Sequence, residues 1–467
     1  MICRLLIFFA MALLITGCTL APEYSRPEAP ISSEWPSGPA YKDAKGSPTA
    51  PTAGDMTWRE FFIDEGLQKV IETALNNNRD LRLAALNVEM ARAIYGIRRA
   101  ELLPALSAVG LGSKLRLSDD LSENGKSEPT EQYSVDFGII SWEIDFFGKI
   151  RSLKDRALKE YLATEQGHRS ARILLISGVA NTYLGLAADR ELLRLSQSTL
   201  DTQQAAYNLI KRRYEVGITN ELDLRRAQTQ VDTARADAAR LTQLAAADEN
   251  ALNLLLGSPA PGELLPDDLN SVIPPGEVTA GMPSEVLLRR PDILQAEELL
   301  KAANANIGAA RAAFFPSISL TASFGTGSDE FSRLFESGTG AWSYATKAVM
   351  PIFDARTWSA LKATKVEREI VLTQYEKSIQ TAFREVADAL AVRGTVEEYL
   401  AAQQSLVNAA AETYRLSNAR YMNGIDSYLG VLDAQRALYA AEHGLVSIRL
   451  ARLTNLVRLY AVLGGGA

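Results

Sequence analysis

Few side chains among these 467 residues are suited to chemistry. There are two histidines, His168 and His443, and two cysteines, Cys3 and Cys18. That is too little for a zinc cluster, a disulfide framework or a Ser-His-Asp constellation. The sequence holds no phosphate-cradling glycine loop and no nucleophile elbow. Its seven methionines are scattered, which does not support a soft-metal relay. No catalytic residue, metal or cofactor is therefore assigned. The one reactive group set in a motif is Cys18. Arg4 gives a positive start, Leu5 to Ile15 form an 11-residue apolar run, and Ile15-Thr16-Gly17 precede the thiol. The run is too short to span a bilayer but suits the apolar part of a secretory signal. An aliphatic residue, two small residues and a cysteine resemble a bacterial lipobox. Small residues let the extended backbone lie against the peptidase, and the sulfur carries the lipid. The expectation is a signal peptide over 1–17 and lipid attachment at Cys18. Thr19 follows, not the aspartate of inner-membrane retention, which favours the outer membrane.

The rest of the chain must be read for what it builds. Hydrophobic residues make up 47% and charged residues 22%, so most of it should order. The net charge of −7 argues against nucleic acid as a partner. No later stretch approaches 18 uninterrupted apolar residues, so no helix is expected to span a membrane. Seven of the 18 prolines lie between Pro22 and Pro51, which predicts an extended or partly disordered leader over 18–60. Pro259, Pro261, Pro266, Pro274, Pro275 and Pro283 mark a linker, assigned to 258–281. Residues 130–258 and 352–467 contain no proline, which invites long helices.

The halves on either side of the linker repeat. Residues 79–107 align without gaps on 291–319 at an offset of 212, matching at Asp80, Ala84, Gly96, Arg99 and Pro104 among others. Residues 207–228 align on 414–435 at an offset of 207, sharing Arg-Tyr-x-x-Gly. The copies are assigned to 61–257 and 282–467, each reading helix, two strands, long helix, turn, helix. Leading helices are predicted over 67–103 and 284–313. Long helices follow over 152–216 and 357–423, each about 100 Å by the helical rise. Return helices are predicted over 221–256 and 427–463. A leading and a return helix laid end to end would match one long helix, as in the wall of a cylinder. Ala227, Val231, Ala234, Ala238, Leu241 and Ala245 alternate spacings of four and three. Ala434, Leu438, Ala441, Leu445 and Ile448 do the same, forming seams that allow close helix approach. Period-two alternation at 133–139 and 317–324 predicts strands, with less clean ones at 105–117 and 341–350. Four amphipathic strands cannot close a membrane barrel, so if these strands span a membrane, several chains must share one barrel.

Three stretches then carry a family resemblance. They are Cys18-Thr19-Leu20-Ala21-Pro22-Glu23-Tyr24 with Arg26-Pro27; Trp142-Glu143-Ile144-Asp145-Phe146-Phe147-Gly148; and Arg420-Tyr421-x-x-Gly424 running into Leu429-x-Val431-Leu432-Asp433-Ala434-Gln435. With the terminal Leu463-Gly464-Gly465-Gly466, the whole chain resembles the TolC/OprM outer-membrane factors, in their NodT-like lipoprotein branch. The resemblance implies a mainly α fold with a membrane β-barrel portion. A homotrimer would form a 12-stranded outer-membrane barrel continuing into a periplasmic α-helical barrel. It implies a duct of a tripartite efflux system passing small molecules such as drugs, which catalyses nothing. Its partners would be a periplasmic adaptor, an inner-membrane pump of RND type and outer-membrane lipid. The helix tips would form the periplasmic entrance and adaptor contact, with Arg213, Tyr214 and Gly217 in one copy and Arg420, Tyr421 and Gly424 in the other. Leu429 and Asp433, four apart on one helix face, would line the gate as rings of three, the carboxylates attracting cations. Gly430 stands where some relatives carry a second aspartate, which weakens any double acidic ring.

Two other functions share parts of this pattern. A type I protein-secretion duct would use the same architecture, although the lipobox and proline-rich leader lean toward small molecules. A periplasmic coiled-coil scaffold without a pore would not need the paired strands.

Overall fold

The computed structural model describes residues 19–42, 51–122, 127–280 and 287–466. Cys18 and residues 1–17 lie outside them. Among the described residues, five α-helices belong to the first half of the element order: Trp58–Phe61, then α1 (Glu65–Asn77), α2 (Arg79–Ala100), α3 (Lys149–Glu215) and α4 (Glu221–Leu256). The second half carries α5 (Pro291–Ala312), α6 (Ala355–Met422) and α7 (Tyr428–Val462). Strands β1 (Leu106–Leu115) and β2 (Thr130–Ile144) lie between α2 and α3, and β3 (Ser317–Ser328) and β4 (Gly340–Val349) between α5 and α6. The long helices of 67 and 68 residues are close to the expected ones.

The chain divides into two compact units. The first holds Met1–Pro27, Asn87–Thr164 and Ala296–Tyr375. Its four strands form one antiparallel sheet in the order β1-β2-β3-β4. The central pairing, β2 with β3, joins the two sequence repeats. Phe137 sits opposite Phe324 there, and the register shifts between Ile139 and Trp142. Such a shift adds local twist. Gly138 and Gly325 allow the twist, because a Cβ at either would run into the facing backbone. β1 and β4 are paired on one side only, so both outer edges of the sheet are open.

The leader is not loose in its described part. Arg311 of α5 donates to the Leu20 carbonyl at 3.0 Å, and Asn304 to the Pro22 carbonyl at 2.7 Å. Tyr24 and Arg26 both donate to Glu297, which is almost fully buried. Burial opposes charge on Glu297, but hydrogen bonds from Arg26 and Lys301 outweigh it and hold the carboxyl below its usual range. Gly308 makes room, since a Cβ there would come within 2.7 Å of the Ala21 nitrogen. Proline-rich composition predicted an extended or partly disordered leader over 18–60. Anchoring side chains among the prolines hold residues 19–42 in place.

The second unit holds Glu28–Leu86, Glu165–Gln295 and Glu376–Ala467. Its core includes Phe61, Phe62 and Tyr460, with Phe61 stacked on Tyr460 at 4.0 Å and the Tyr460 hydroxyl donating to the Met56 carbonyl. Each fully buried aromatic of this kind contributes roughly 2–3 kcal/mol by burial alone. Trp35 of the leader stacks on Phe383 at 5.1 Å. The linker is tied down as well, Arg190 donating to the Pro266 carbonyl and Arg393 to that of Val278. One window of α3 is long and apolar enough to cross a membrane by composition, which the count of uninterrupted apolar residues missed; 56% of it is buried inside the protein, as in a core helix. The alanine seams pack as their spacing suggested: Ala227, Val231, Ala234 and Leu241 are buried on α4, and Ala434, Ala441 and Ile448 on α7.

The leading helix is not continuous over 67–103. It breaks at Asn78, whose extended backbone ends α1 while its Oδ1 accepts from the Leu81 N–H and starts α2. The Asn78 Nδ2 also donates to the Leu255 carbonyl at 2.9 Å, capping the C-terminus of α4. Gly257, left-handed at φ 68°, lies against the Asn77 carbonyl. The second copy repeats this joint. Arg290 stands at the position equivalent to Asn78 under the offset of 212, and donates to the Val462 carbonyl at 2.9 Å. Val462 is equivalent to Leu255 under the offset of 207. In each copy one side chain at the start of the leading helix thus caps the end of the return helix. The predicted 284–313 helix runs over Pro291–Ala312, with 281–286 outside the described residues.

Candidate functional site at the helix tips

Both long helices end in the same backbone motif. In the first copy the Ile218 N–H donates to the Arg213 carbonyl and the Gly217 N–H to that of Tyr214. In the second, Ile425 donates to Arg420 and Gly424 to Tyr421. These paired bonds satisfy carbonyls that the helix leaves free, and they require a left-handed residue. Gly217 at φ 77° and Gly424 at φ 73° supply it. Asn220 then caps α4 by accepting from the Asp223 N–H.

The side chains diverge where the backbones agree. Arg420 pairs with Asp426 inside its own turn, which holds the Asp426 carboxyl below its usual range. The first copy has Thr219 at the position of Asp426, and Thr219 bonds Asp223 instead. Lacking an acid in its turn, Arg213 reaches the other copy. Its Nη1 donates to the Tyr421 hydroxyl at 2.9 Å, and the guanidinium lies 5.4 Å from the Tyr421 ring centroid. Tyr421 in turn packs 5.2 Å from Tyr428. Tyr428 belongs to a buried cluster with Ile210, Ala227, Val431 and Leu432. Burial, with Tyr421 and Tyr414 nearby, pushes its hydroxyl up to about 12.

The structure thus brings Arg213 and Tyr421 together, and leaves Tyr214 exposed. Leu429 and Asp433 share a face of α7 away from the buried Tyr428, Val431 and Leu432; Leu429 is 41% exposed and Asp433 is exposed. Neither is needed to pack this chain. The tips also expose Val216, Ile218, Leu222, Met422 and Ile425. Two contributors escaped the sequence reading, Asp426 as the partner of Arg420 and Tyr428 as the plug beneath Tyr421. Comparing Thr219 with Asp426 across the repeat was the available signal for the first. Among the described residues no group of three His, Cys, Asp or Glu side chains could hold a metal.

A mostly helical chain with an open-edged amphipathic sheet and two repeated helical hairpins has the build of an outer-membrane channel with periplasmic helices. The chain belongs to the family of outer membrane efflux proteins, whose pattern matches residues 70–258 and 282–465. It is 48% identical over 459 residues to the toluene efflux pump outer membrane protein TtgC of Pseudomonas putida, covering 97% of this chain and 94% of the relative. It is equally similar, with the same coverage, to the antibiotic efflux pump outer membrane protein ArpC of Pseudomonas putida. Its fold matches the open-state crystal structure of the Neisseria gonorrhoeae MtrE outer membrane channel with a TM-score of 0.86 and 38% identity, over 96% of this chain and 98% of that one. The protein is an outer-membrane efflux channel.

Proposed function

We propose that three copies of this chain form the exit duct of a tripartite efflux pump, carrying solvents and antibiotics delivered by an inner-membrane pump of RND type through a periplasmic adaptor. The open sheet carries this reading. A single chain leaves β1 and β4 each with an unsatisfied edge, and an edge in lipid costs several kcal/mol per unpaired group. Joining β1 of one copy to β4 of the next closes twelve strands without an edge. The repeat equivalence of the two hairpins supports dividing the chain into copies over 61–257 and 282–467. Lipid on Cys18 would anchor the leader at the membrane surface. The exposed apolar residues around Gly217 and Gly424 offer the adaptor a docking ring, with Arg213, Tyr214, Arg420 and Tyr421 behind it. Leu429 and Asp433 form the gate. The duct does no chemistry; the pump supplies the energy. The relatives TtgC and ArpC, whose names specify toluene and antibiotics, support the cargo class. Native mass spectrometry in detergent should give three chains with acylated N-termini. Expression in a strain lacking its own duct should restore toluene and antibiotic tolerance. A functional monomer, or tolerance unchanged, would overturn the proposal.

A further inference from the structure

Below the sheet, the first unit carries a feature that efflux does not use. Where β4 passes into α6, Ile352 and Phe353 are each 89% exposed, and Trp358 is exposed one turn further on. Phe314 meets Trp358 edge to face at 4.9 Å, and Phe147 stacks on Phe315 at 4.8 Å. Bulky exposed aromatics at the end of membrane strands mark the boundary between hydrocarbon and headgroups. Helical rise places Lys365 about 10 Å beyond Trp358 along α6, at the depth of the phosphate-bearing layer.

A groove of about 350 Å³ opens at that level between the leader, α5 and α6. Arg311, Lys365 and Arg368 line it, against Glu23 and Glu369. Arg368 is paired with Glu369 at 2.8 Å, whereas Lys365 is exposed and makes no ion pair among the described residues. Arg311 spends one N–H on the Leu20 carbonyl. Val366 gives the groove an apolar side. Leu20 is two residues from Cys18, at most about 7 Å of extended chain. A net positive, partly apolar groove, open at headgroup depth and edged by the leader, complements a phosphate with acyl chains attached.

We propose that this groove binds the headgroup of an anionic phospholipid from the periplasmic leaflet of the outer membrane, with Lys365 and Arg311 on the phosphate. The proposal rests on the membrane reading of the sheet. The lipid would brace the leader against α5 and α6.

The test uses the full-length trimer reconstituted in nanodiscs holding equal phosphatidylglycerol and phosphatidylethanolamine. Lipids retained after mild detergent extraction are counted by native mass spectrometry. The wild type should retain phosphatidylglycerol preferentially. Lys365→Gln with Arg311→Gln should lower that retention by about fivefold or more, at least the effect of one charge at a membrane surface. Lys365→Arg should keep it, and so should Lys211→Gln at the tip. Equal retention of the two lipids by the wild type, or unchanged retention in the double variant, would overturn the groove. Displacement by 10 mM inorganic phosphate would show a small-anion site and overturn the lipid. Outer-membrane fractionation is scored separately: a wild type absent from that membrane would overturn the membrane reading and the proposal with it. Correct localisation with equal lipid retention overturns the groove alone.

Discussion

At the scale of single residues, one substitution between repeats redirects an arginine. Arg213 and Arg420 occupy equivalent positions, but only the second has an acid six residues on. Arg213 therefore spans to Tyr421 and ties the end of α3 to the end of α6. The bond is partly buried and charge-assisted, so it should contribute more than an exposed ion pair, on the order of 1–2 kcal/mol locally. Tyr421→Phe removes the accepting hydroxyl and keeps the ring that covers Tyr428. We expect amide hydrogen exchange at 210–216 and 419–425 to speed up by about fivefold or more, the factor that 1 kcal/mol sets. Tyr214→Phe, on the exposed equivalent, should leave exchange as it was. Equal rates in the wild type and Tyr421→Phe would show that the latch has no weight.

At the scale of elements, small residues bring helices close enough to force polar groups together. Gly185 on α3 leaves space for the Asp248 carboxylate of α4, 3.6 Å from where a Cβ would stand. Burial, followed by the charge of neighbouring Asp189, pushes Asp248 up to about 6. Burial also raises Asp189, against the opposing pull of Asp248 as donor, Arg240 and His443. An acid whose folded value lies above its unfolded one binds its proton longer in the folded state. Its contribution to stability is therefore greatest below about pH 4 and is lost as pH rises through about 6. Asp248→Asn keeps the shape and removes the titration. The variant's thermal midpoint should fall less than the wild type's between pH 5 and pH 7, and should exceed it at pH 7. Parallel midpoint curves for the two proteins would dismiss the pair as a source of pH dependence.

At the scale of the whole molecule, one chain leaves bonding edges and a helix face unused. Its sheet has open edges, and Leu429 and Asp433 are exposed although the packing of one chain does not require it. Three copies around an axis would set the leucines against water and the carboxylates one helical turn along. Replacing both residues with alanine should widen the constriction and remove the charge. In planar bilayers the double variant should conduct more than the wild type and lose much of its cation preference. If conductance and selectivity do not change, the constriction lies on another face. Salt should separate the two contributions, since screening weakens the carboxylate effect and not the steric one.

Period and punctuation in the sequence were enough for the strands, the long helices and the turns that end them. Proline-free runs, the glycines after Arg213-Tyr214 and Arg420-Tyr421, and two-residue alternation around Tyr133 and Ser317 each report a local backbone preference, which needs no partner to be legible. The repeat offsets were legible for the same reason, and with them the number of strands. What sequence did not reveal depends on residues far apart in the chain. Proline content is local and left the leader either extended or partly disordered, whereas Tyr24 and Arg26 are fixed by Glu297, more than 270 positions away. The break at Asn78 was missed because its side chain serves the end of α4, 177 residues on. Arg213 and Arg420 look alike in one dimension, and only folding decides which acid or hydroxyl each can reach. Local patterning fixes where helices and strands form; tertiary structure decides which polar groups lose water together, and that pairing assigns each side chain its work.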